Sequence, residues 1–152
     1  MKSIILTLTS ALLIGSAFGQ TIVYPEGGSD QERLAAQEVR RYVYLRTGTK
    51  LPLQAMNTLP VLGDVILVAD RGHTIVEDLR NEINHETSPG GFVLKTIVRD
   101  SRNVLVITGH DSAATLHGAY RFVEHLGVGF DLAGDAIPDA KIPLDITGFD
   151  EV

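Results

Sequence analysis

The chain has 152 residues, of which 44% are hydrophobic and 21% are charged, and its formal net charge is -6. This composition is typical of a folded globular domain and argues against a disordered chain. The negative charge and the scattered basic residues argue against nucleic acid as a partner, because such binding needs a basic patch. The sequence has no cysteine, which excludes cysteine nucleophiles, thiolate zinc sites and iron–sulfur clusters.

Residues 1–19 are predicted to be a secretory signal and not part of the fold. Lys2 supplies a positive first region, and residues 4–14 form an apolar stretch that is too short to span a bilayer. Small residues before the junction predict cleavage between Gly19 and Gln20. We therefore expect a secreted or periplasmic protein with no membrane partner after cleavage, the alternative being an uncleaved anchor.

A strand followed by a long amphipathic helix is predicted next. Residues 21–24 form a short apolar strand. Ser29 and Glu32 have the spacing of a capping box, in which the two side chains satisfy free amides at the start of a helix. We expect this helix to run to about Arg46 and to end at Gly48.

The two faces of this helix differ in chemistry. Small and apolar side chains at helical spacing define its buried face, with Leu34 or Ala36 at the flank: Ala35, Val39, Tyr42 and Val43. Polar side chains on the opposite face are expected to meet water: Gln37, Arg40, Arg41 and Arg46. A helix with one apolar face must cover a sheet.

The middle of the chain predicts two strands and a short helix. Residues 51–54 are expected to form an edge strand, because Pro52 cannot donate a ladder hydrogen bond. The apolar run 64–69 predicts a central strand. A short helix is predicted for residues 75–83, with these side chains inward: Ile75 or Val76, Leu79 and Ile83.

Two more strands and a second long helix follow. Residues 92–98 and 104–107 are separated by a short turn, so they are predicted to pair as a hairpin. Asp111 or Ser112 is expected to cap the helix, and Gly127 to end it in the left-handed conformation. Apolar residues at helical steps predict its buried stripe: Leu116, Tyr120, Val123 and Leu126.

These elements predict a two-layer α/β sandwich, in which a mixed β-sheet is covered by two main amphipathic helices. A doubly wound parallel sheet is disfavoured, because the hairpin interrupts the alternation of strands and helices. We assign residues 20–145 to a single α/β domain. The apolar pairs and prolines near the end of the chain lead us to expect that residues 146–152 begin a linker.

The histidines and the serine of the second long helix form no recognisable catalytic or metal motif. His117 and His125 are eight residues apart, about 80° around a helix axis, whereas a metal pair on one helix needs a spacing of three or four; they and His110 are expected to be solvated or capping. Ser112 lies in GHDSA, but a nucleophile elbow needs glycine where Ala114 stands.

Glycines, acids and aromatic residues give no stronger motif. A dinucleotide loop follows a strand, whereas three glycines with the wrong spacing follow a helix here: Gly127, Gly129 and Gly134. A glycosidase needs paired acids, and spacing pairs none of these: Asp70, Glu124, Asp131 and Asp135. With no tryptophan, a sugar-stacking platform is weakly indicated. We therefore assign no catalytic, cofactor-binding or metal-binding residue.

Two blocks of the chain resemble a known domain family. The first, residues 23–53, is similar to the opening of the non-catalytic amino-terminal domain of α-glucuronidases, a domain type that also precedes the barrel of β-hexosaminidases. Its marks are Ala35-Ala36, Glu38-Val39, Tyr42-Val43, Thr47-Gly48 and Leu51-Pro52-Leu53. The second block is the more specific: Ile107, Gly109, Ala114, Gly118-Ala119-Tyr120, Phe122-Val123-Glu124, Leu126-Gly127-Val128, Phe130, Gly134-Asp135 and Ile137-Pro138.

The resemblance implies a domain like the second domain of β-hexosaminidases, packed on a catalytic (β/α)8 barrel that carries the catalytic carboxylates. This chain stops where the barrel would begin, so no catalytic residue carries over. We expect a secreted accessory domain, as a fragment of an α-glucuronidase-like glycoside hydrolase of polysaccharide breakdown, with the barrel as partner and no cofactor. The alternatives are a stand-alone carbohydrate-binding or protein-interaction module and a small hydrolase using Asp111, Ser112 and His117.

Overall fold

The computed structural model describes residues 19–152, so the predicted signal lies, apart from Gly19, outside the described residues. The strands are β1 (Thr21–Tyr24), β2 (Leu53–Ala55), β3 (Val65–Val68), β4 (Phe92–Arg99), β5 (Arg102–Gly109), β6 (Gly129–Asp131), β7 (Gly134–Ala136) and β8 (Asp150–Glu151). The helices are α1 (Asp30–Thr47), α2 (Thr74–Glu77), α3 (Arg80–Ile83) and α4 (Ser112–His125). Within residues 19–152, none of these helices is long and apolar enough to cross a membrane.

The fold is an α/β fold with a mixed six-stranded sheet. The strand order is β2-β1-β3-β5-β4-β8, and a separate hairpin joins β6 to β7. The first four strands of this order run parallel, whereas β4 is antiparallel to both of its neighbours. The predicted hairpin is confirmed: β4 and β5 are joined through Asp100 and Ser101, whose φ angles of 51° and 60° suit the right-handed twist of the paired strands.

Both faces of the sheet are covered. The central strand β3 is fully buried, as predicted. Its Ile66 and Val68 point towards α1 and α4, whereas Val65 and Leu67 point towards the short helices α2 and α3. The single helix predicted for residues 75–83 is two short helices in the structure, α2 and α3. The side chains predicted to point inward are buried: Ile75, Val76, Leu79 and Ile83.

Helix α1 begins and ends as its sequence predicts. The Glu32 amide donates to Ser29 Oγ at 3.2 Å, and the Ser29 amide donates to Glu32 Oε2 at 2.8 Å, which completes the capping box. Gly48 adopts a φ of 80°, and its amide donates to the Tyr44 carbonyl at 2.8 Å. The predicted buried stripe is confirmed, with Ala36 and not Leu34 at its flank.

Arg46 is the exception, because the prediction that it faces water is wrong. Its side chain is buried, with the residue only 4% exposed. The guanidinium donates from Nε to the Leu126 carbonyl at 2.7 Å and from Nη1 to the carbonyls of Pro138 and Ala140 at 2.5 and 2.6 Å. The chain that follows α4 crosses the end of α1 and covers this arginine with carbonyl oxygens. Periodicity within one helix cannot reveal a covering segment some 80 residues away.

The buried face of α4 is also turned from the predicted stripe. Val123 and Leu126 are buried, but Leu116 and Tyr120 are only half-buried. Most of the buried residues of α4 are small, namely Ala114, Thr115, Gly118 and Ala119, and Phe122 and Val123 complete the set. A Cβ at Gly118 would lie 3.2 Å from Ile107 Cγ2, so the helix lies close against β5. Close approach to the sheet therefore places small residues, and not the largest apolar ones, on the buried face.

The carboxyl-terminal segment, where a linker was expected to begin, packs on the domain. Ile146 is buried, and its carbonyl accepts a hydrogen bond from Thr96 Oγ1 at 2.6 Å. The Phe149 amide donates to the same Thr96 hydroxyl at 3.1 Å. Strand β8 then pairs with β4 at the edge of the sheet. Residues 146–151 therefore contribute one core side chain and one edge strand.

Candidate functional site

The carboxyl ends of the parallel strands meet at one edge of the sheet. β1 leads through α1 to β2 on one side, whereas β3 leads through α2 and α3 to β4 and β5 on the other side. The connections therefore diverge between β1 and β3, and they leave on opposite faces of the sheet. Ligands of open α/β sheets bind at such a point. A ligand site of this chain is therefore expected at this edge of the sheet.

Four polar side chains from three connections meet there, and we call them the switch-point cluster: Glu32, Asp70, His73 and Ser112. Glu32 lies in the first turn of α1, Asp70 and His73 lie between β3 and α2, and Ser112 begins α4. His73 Nε2 lies 3.0 Å from Glu32 Oε1, which also accepts the Asp70 amide at 2.8 Å. Ser112 Oγ donates to Asp70 Oδ2 at 3.1 Å. The cluster thus joins α1, the loop after β3 and α4.

Glu32 is the buried centre of the cluster, since only 1% of the residue is exposed. Burial alone would raise the pKa of Glu32, but hydrogen bonds from the Asp70 amide and from Ser29, together with the nearby His73, hold its pKa below the ordinary value. Glu32 is therefore a carboxylate at neutral pH. It serves both as the capping residue of α1 and as the acceptor for the loop that follows β3.

Three members of the cluster have donor atoms close enough to hold a cation. One atom each of Glu32, Asp70 and His73 lies within 4.8 Å of the others. However, both Glu32 oxygens already accept hydrogen bonds, and His73 Nε2 is directed at this carboxylate. A metal ion would have to displace these protein donors. The cluster is therefore better described as a hydrogen-bonded network that connects α1, the loop after β3 and α4 than as a metal centre.

Replacing Glu32 by glutamine is expected to lower the free energy of unfolding at pH 7 by about 1–2 kcal/mol, because a capping acceptor and charge-assisted hydrogen bonds are lost. A pKa that is lowered on folding stabilises the protein above the ordinary glutamate pKa of 4.5, and this stabilisation disappears as the pH falls through the folded-state pKa. Urea unfolding at several pH values should show the gap between the two proteins closing below about pH 4.5.

The exposed Glu26→Gln variant is the matched control, and it should follow the wild type at every pH. A Glu32→Gln gap of constant size from pH 7 to pH 3 would contradict the assignment of Glu32 as a charged acceptor.

The structure does not bring together Asp111, Ser112 and His117, the residues of the small-hydrolase alternative. Asp111 Oδ1 accepts the Ala114 amide at 2.8 Å, so Asp111 is the predicted helix cap. Ser112 donates to Asp70 and not to a histidine. His117 is exposed on α4, and within residues 19–152 no hydrogen bond links it to Asp111 or Ser112. A Ser-His-Asp site needs the histidine within hydrogen-bonding reach of the serine, and His117 makes no such contact with Ser112 within residues 19–152.

The other two predicted histidines bind separate segments. His110 Nδ1 lies 3.0 Å from the Thr87 carbonyl, and His125 Nε2 lies 2.8 Å from Glu151 Oε2. Neither belongs to the switch-point cluster. The sequence analysis did not identify His73 as a candidate site residue. Its position in the polar turn after the apolar strand β3 was the one sequence feature that could have indicated it.

The predicted acids are also dispersed. Glu124 pairs with Arg121 at 3.0 Å, and Asp131 caps the Ala133 amide at 2.6 Å. The half-buried Asp70 lies beside the buried carboxylate of Glu32, in the switch-point cluster. Gly127 has a φ of 83°, which confirms its predicted role at the end of α4.

Asp135, the fourth of the predicted acids, lies next to a cluster of aromatic side chains. Phe130 of β6 packs edge-on against Tyr42 and Tyr120, with ring centroids 5.7 and 5.2 Å apart. The Tyr42 hydroxyl donates to Asp135, and burial together with this hydrogen bond raises the pKa of Tyr42 to about 12. The edge-on rings fix the β6–β7 hairpin on α1 and α4, and only Phe130 among them is substantially exposed.

The fold and this edge cluster define the chain as a mixed-sheet α/β domain. No family model matches the sequence, and no curated protein matches it. Among solved structures, a family GH115 4-O-methyl-α-glucuronidase with specificity for decorated arabinogalactans has a similar fold, with a TM-score of 0.50 and 16% sequence identity. The match covers 75% of this chain but only 14% of that enzyme. The likeness shows a shared fold.

Proposed function

We propose that this chain is a secreted, non-catalytic amino-terminal domain of an α-glucuronidase-like glycoside hydrolase that acts in polysaccharide breakdown. The observation that carries the proposal is the fold match, which spans most of this chain but a small part of a glucuronidase. In this proposal the sheet with α1 and α4 forms the two-layer α/β sandwich of the second domain of β-hexosaminidases. The partner is a catalytic (β/α)8 barrel, and the parent enzyme, not this domain, performs hydrolysis.

The chemistry of the described residues supports a scaffold role. The carboxylates and the serine of the switch-point cluster hold elements of the fold together, and within residues 19–152 no histidine forms a hydrogen bond with Ser112. The β6–β7 hairpin projects a fully exposed Leu132 beside the partly exposed Phe130. Exposed apolar side chains on a hairpin are suited to burial by a neighbouring domain.

The test is to combine residues 20–152 with the barrel encoded by the same or the adjacent reading frame. We expect the two to elute as a one-to-one complex, and we expect an aryl α-glucuronide to be hydrolysed only when the barrel is present. Leu132→Asp should weaken the complex about tenfold or more, because a charge would be buried at the contact. Val98→Asp is the matched control, because Val98 is an exposed apolar residue of β4 and lies outside the β6–β7 hairpin.

Two results would overturn the proposal. Turnover of the glucuronide by residues 20–152 alone would make the domain an enzyme. Failure to bind the barrel would favour the alternative of a stand-alone carbohydrate-binding or protein-interaction module.

A further inference from the structure

A pocket of about 210 Å³ lies on the face of the sheet that α2 and α3 cover. It opens next to the loop after β3, and residues from the start of β4 and the end of β5 line it. Drug-sized ligands occupy sites of about 300–1,000 Å³. This pocket therefore suits a smaller molecule, of about the size of a monosaccharide.

The inner wall of the pocket is apolar with one polar exception. Val76, Ile83 and Val93 are buried and form its apolar part. Thr108, at the end of β5, also lines the pocket and is only 3% exposed. Among the described residues, its hydroxyl has no hydrogen-bond partner. Because an unpaired buried hydroxyl is costly, Thr108 marks a place where a ligand oxygen would be favourable.

The rim carries two arginines. Arg71 Nη1 donates to the carbonyl and hydroxyl of Thr87 at 3.0 and 3.3 Å, which orients its guanidinium. Within residues 19–152 the guanidinium makes no other hydrogen bond, so its Nε–Nη2 edge is suited to a bidentate contact with a carboxylate. Arg80 also lines the pocket, and within residues 19–152 it has no ion-pair partner.

Glutamates supply the complementary acceptors. Glu77 and Glu86 line the same pocket, and neither is in an ion pair among the described residues. Carboxylates so placed accept hydrogen bonds from ligand hydroxyls. The rim therefore has both cationic donors and anionic acceptors around an apolar wall.

We propose that this pocket binds a small hydroxylated carboxylate, such as a sugar acid of monosaccharide size. The ligand carboxylate pairs with Arg71 and Arg80, while its hydroxyls bond to the glutamates and to Thr108. A neutral hexose would leave both guanidiniums without an anion, and acetate would leave the glutamates and Thr108 unused. The inference goes beyond the proposed scaffold role and does not depend on a barrel.

The experiment is a calorimetric titration of residues 20–152 with D-glucuronate. We expect saturable binding, with D-glucose and acetate each about tenfold weaker or more, because each lacks one half of the contacts. Glucuronoxylan fragments form a separate arm. If they bind as tightly as the free acid, the pocket recognises a uronate within a polysaccharide; if they bind weakly, it recognises the free acid.

Variants test the assigned contacts. Arg71→Lys and Arg80→Gln should each weaken glucuronate binding about tenfold to hundredfold, the range for a hydrogen bond to a charged group. Thr108→Val keeps the side-chain shape and should weaken binding without lowering the melting temperature. Arg33→Gln is the matched control, because Arg33 is exposed on α1 and pairs with Asp30 at 2.7 Å, and it should not change binding.

Absence of saturable glucuronate binding at millimolar concentration would overturn the proposal. Equal affinity for glucose and glucuronate would overturn it as well, and this comparison needs no variant to fold. Leu132, the residue that tests association with the barrel, does not line this pocket. The two experiments are therefore independent. A failure to bind glucuronate would not argue against association with the barrel, and a failure to associate with the barrel would not argue against glucuronate binding.

Discussion

Replacing Arg46 by alanine is expected to lower the free energy of unfolding by about 3 kcal/mol or more, the sum of several charged hydrogen bonds and lost packing. Its guanidinium donates to the carbonyls of Leu126, Pro138 and Ala140. Without it, buried carbonyl oxygens at the end of α4 and in the following segment lose their donor. Urea unfolding followed by circular dichroism would measure the loss.

Two further variants separate charge from volume. Arg46→Met retains a long apolar stem but no donors, so it should remain well below the wild type in stability. Arg33→Ala removes an exposed arginine from the same helix and should cost less than about 1 kcal/mol, as surface ion pairs do. An Arg46→Met variant as stable as the wild type would show that packing, and not hydrogen bonding, holds the segment.

The same contacts predict where the damage appears. The Ile142 amide donates to the Arg46 carbonyl at 2.9 Å, so the backbone of the crossing segment is also tied to α1. Hydrogen exchange in Arg46→Ala should therefore rise first at residues 138–142. Uniform exchange across the sheet and this segment would contradict a local role for Arg46.

Gly109→Ala is expected to destabilise the protein by about 3 kcal/mol or to prevent folding, because overpacking against backbone has no easy relief. A Cβ at Gly109 would overlap Thr115 N and would lie 2.5 Å from the Ala114 carbonyl carbon. These are atoms of the first turn of α4. The turn between β5 and α4 would have to open, and with it the hydrogen bond from the Gly109 amide to Thr115 Oγ1 at 3.1 Å.

Gly129→Ala is the matched control, because its nearest neighbour would be Ala136 Cβ at 3.6 Å, an ordinary van der Waals contact. Thermal melts and the yield of folded protein would compare the two variants. A Gly109→Ala melting temperature equal to that of Gly129→Ala would show that α4 is not held as close to β5 as the structure has it.

Local interactions explain why much of the fold was predictable. The capping box of Ser29 and Glu32 joins residues three apart, and Gly48 ends α1 through its own backbone conformation. The hairpin of β4 and β5 depends on the short turn between them. Each of these features is a property of a few neighbouring residues, so each can be recognised without knowing the rest of the chain.

The buried face of α4 shows where that reasoning fails. Periodicity of large apolar residues predicted Leu116 and Tyr120 as buried, whereas Gly118 and Ala119 face the sheet. A helix that packs very close to a strand buries its smallest residues. The separation between helix and sheet is a tertiary distance, and composition along the helix does not reveal it.

The switch-point cluster could not be predicted for a similar reason. Glu32 receives the Asp70 amide across 38 residues of sequence, and His73 approaches it across 41. Glu32 was recognised as a helix cap, and Asp70 as an acid without a partner. Only the order of the strands brings the start of α1 beside the loop after β3.

Several elements follow from local chemistry and are predictable from the sequence: the first strand, the ends of α1, the central strand, the β4–β5 hairpin and the cap of α4. Which polar residues are buried depends on tertiary contacts, because segments far along the chain supply the hydrogen-bond partners of Arg46 and Glu32. A charged side chain can leave water only where such partners converge. That convergence is a property of the assembled sheet and its crossing segments.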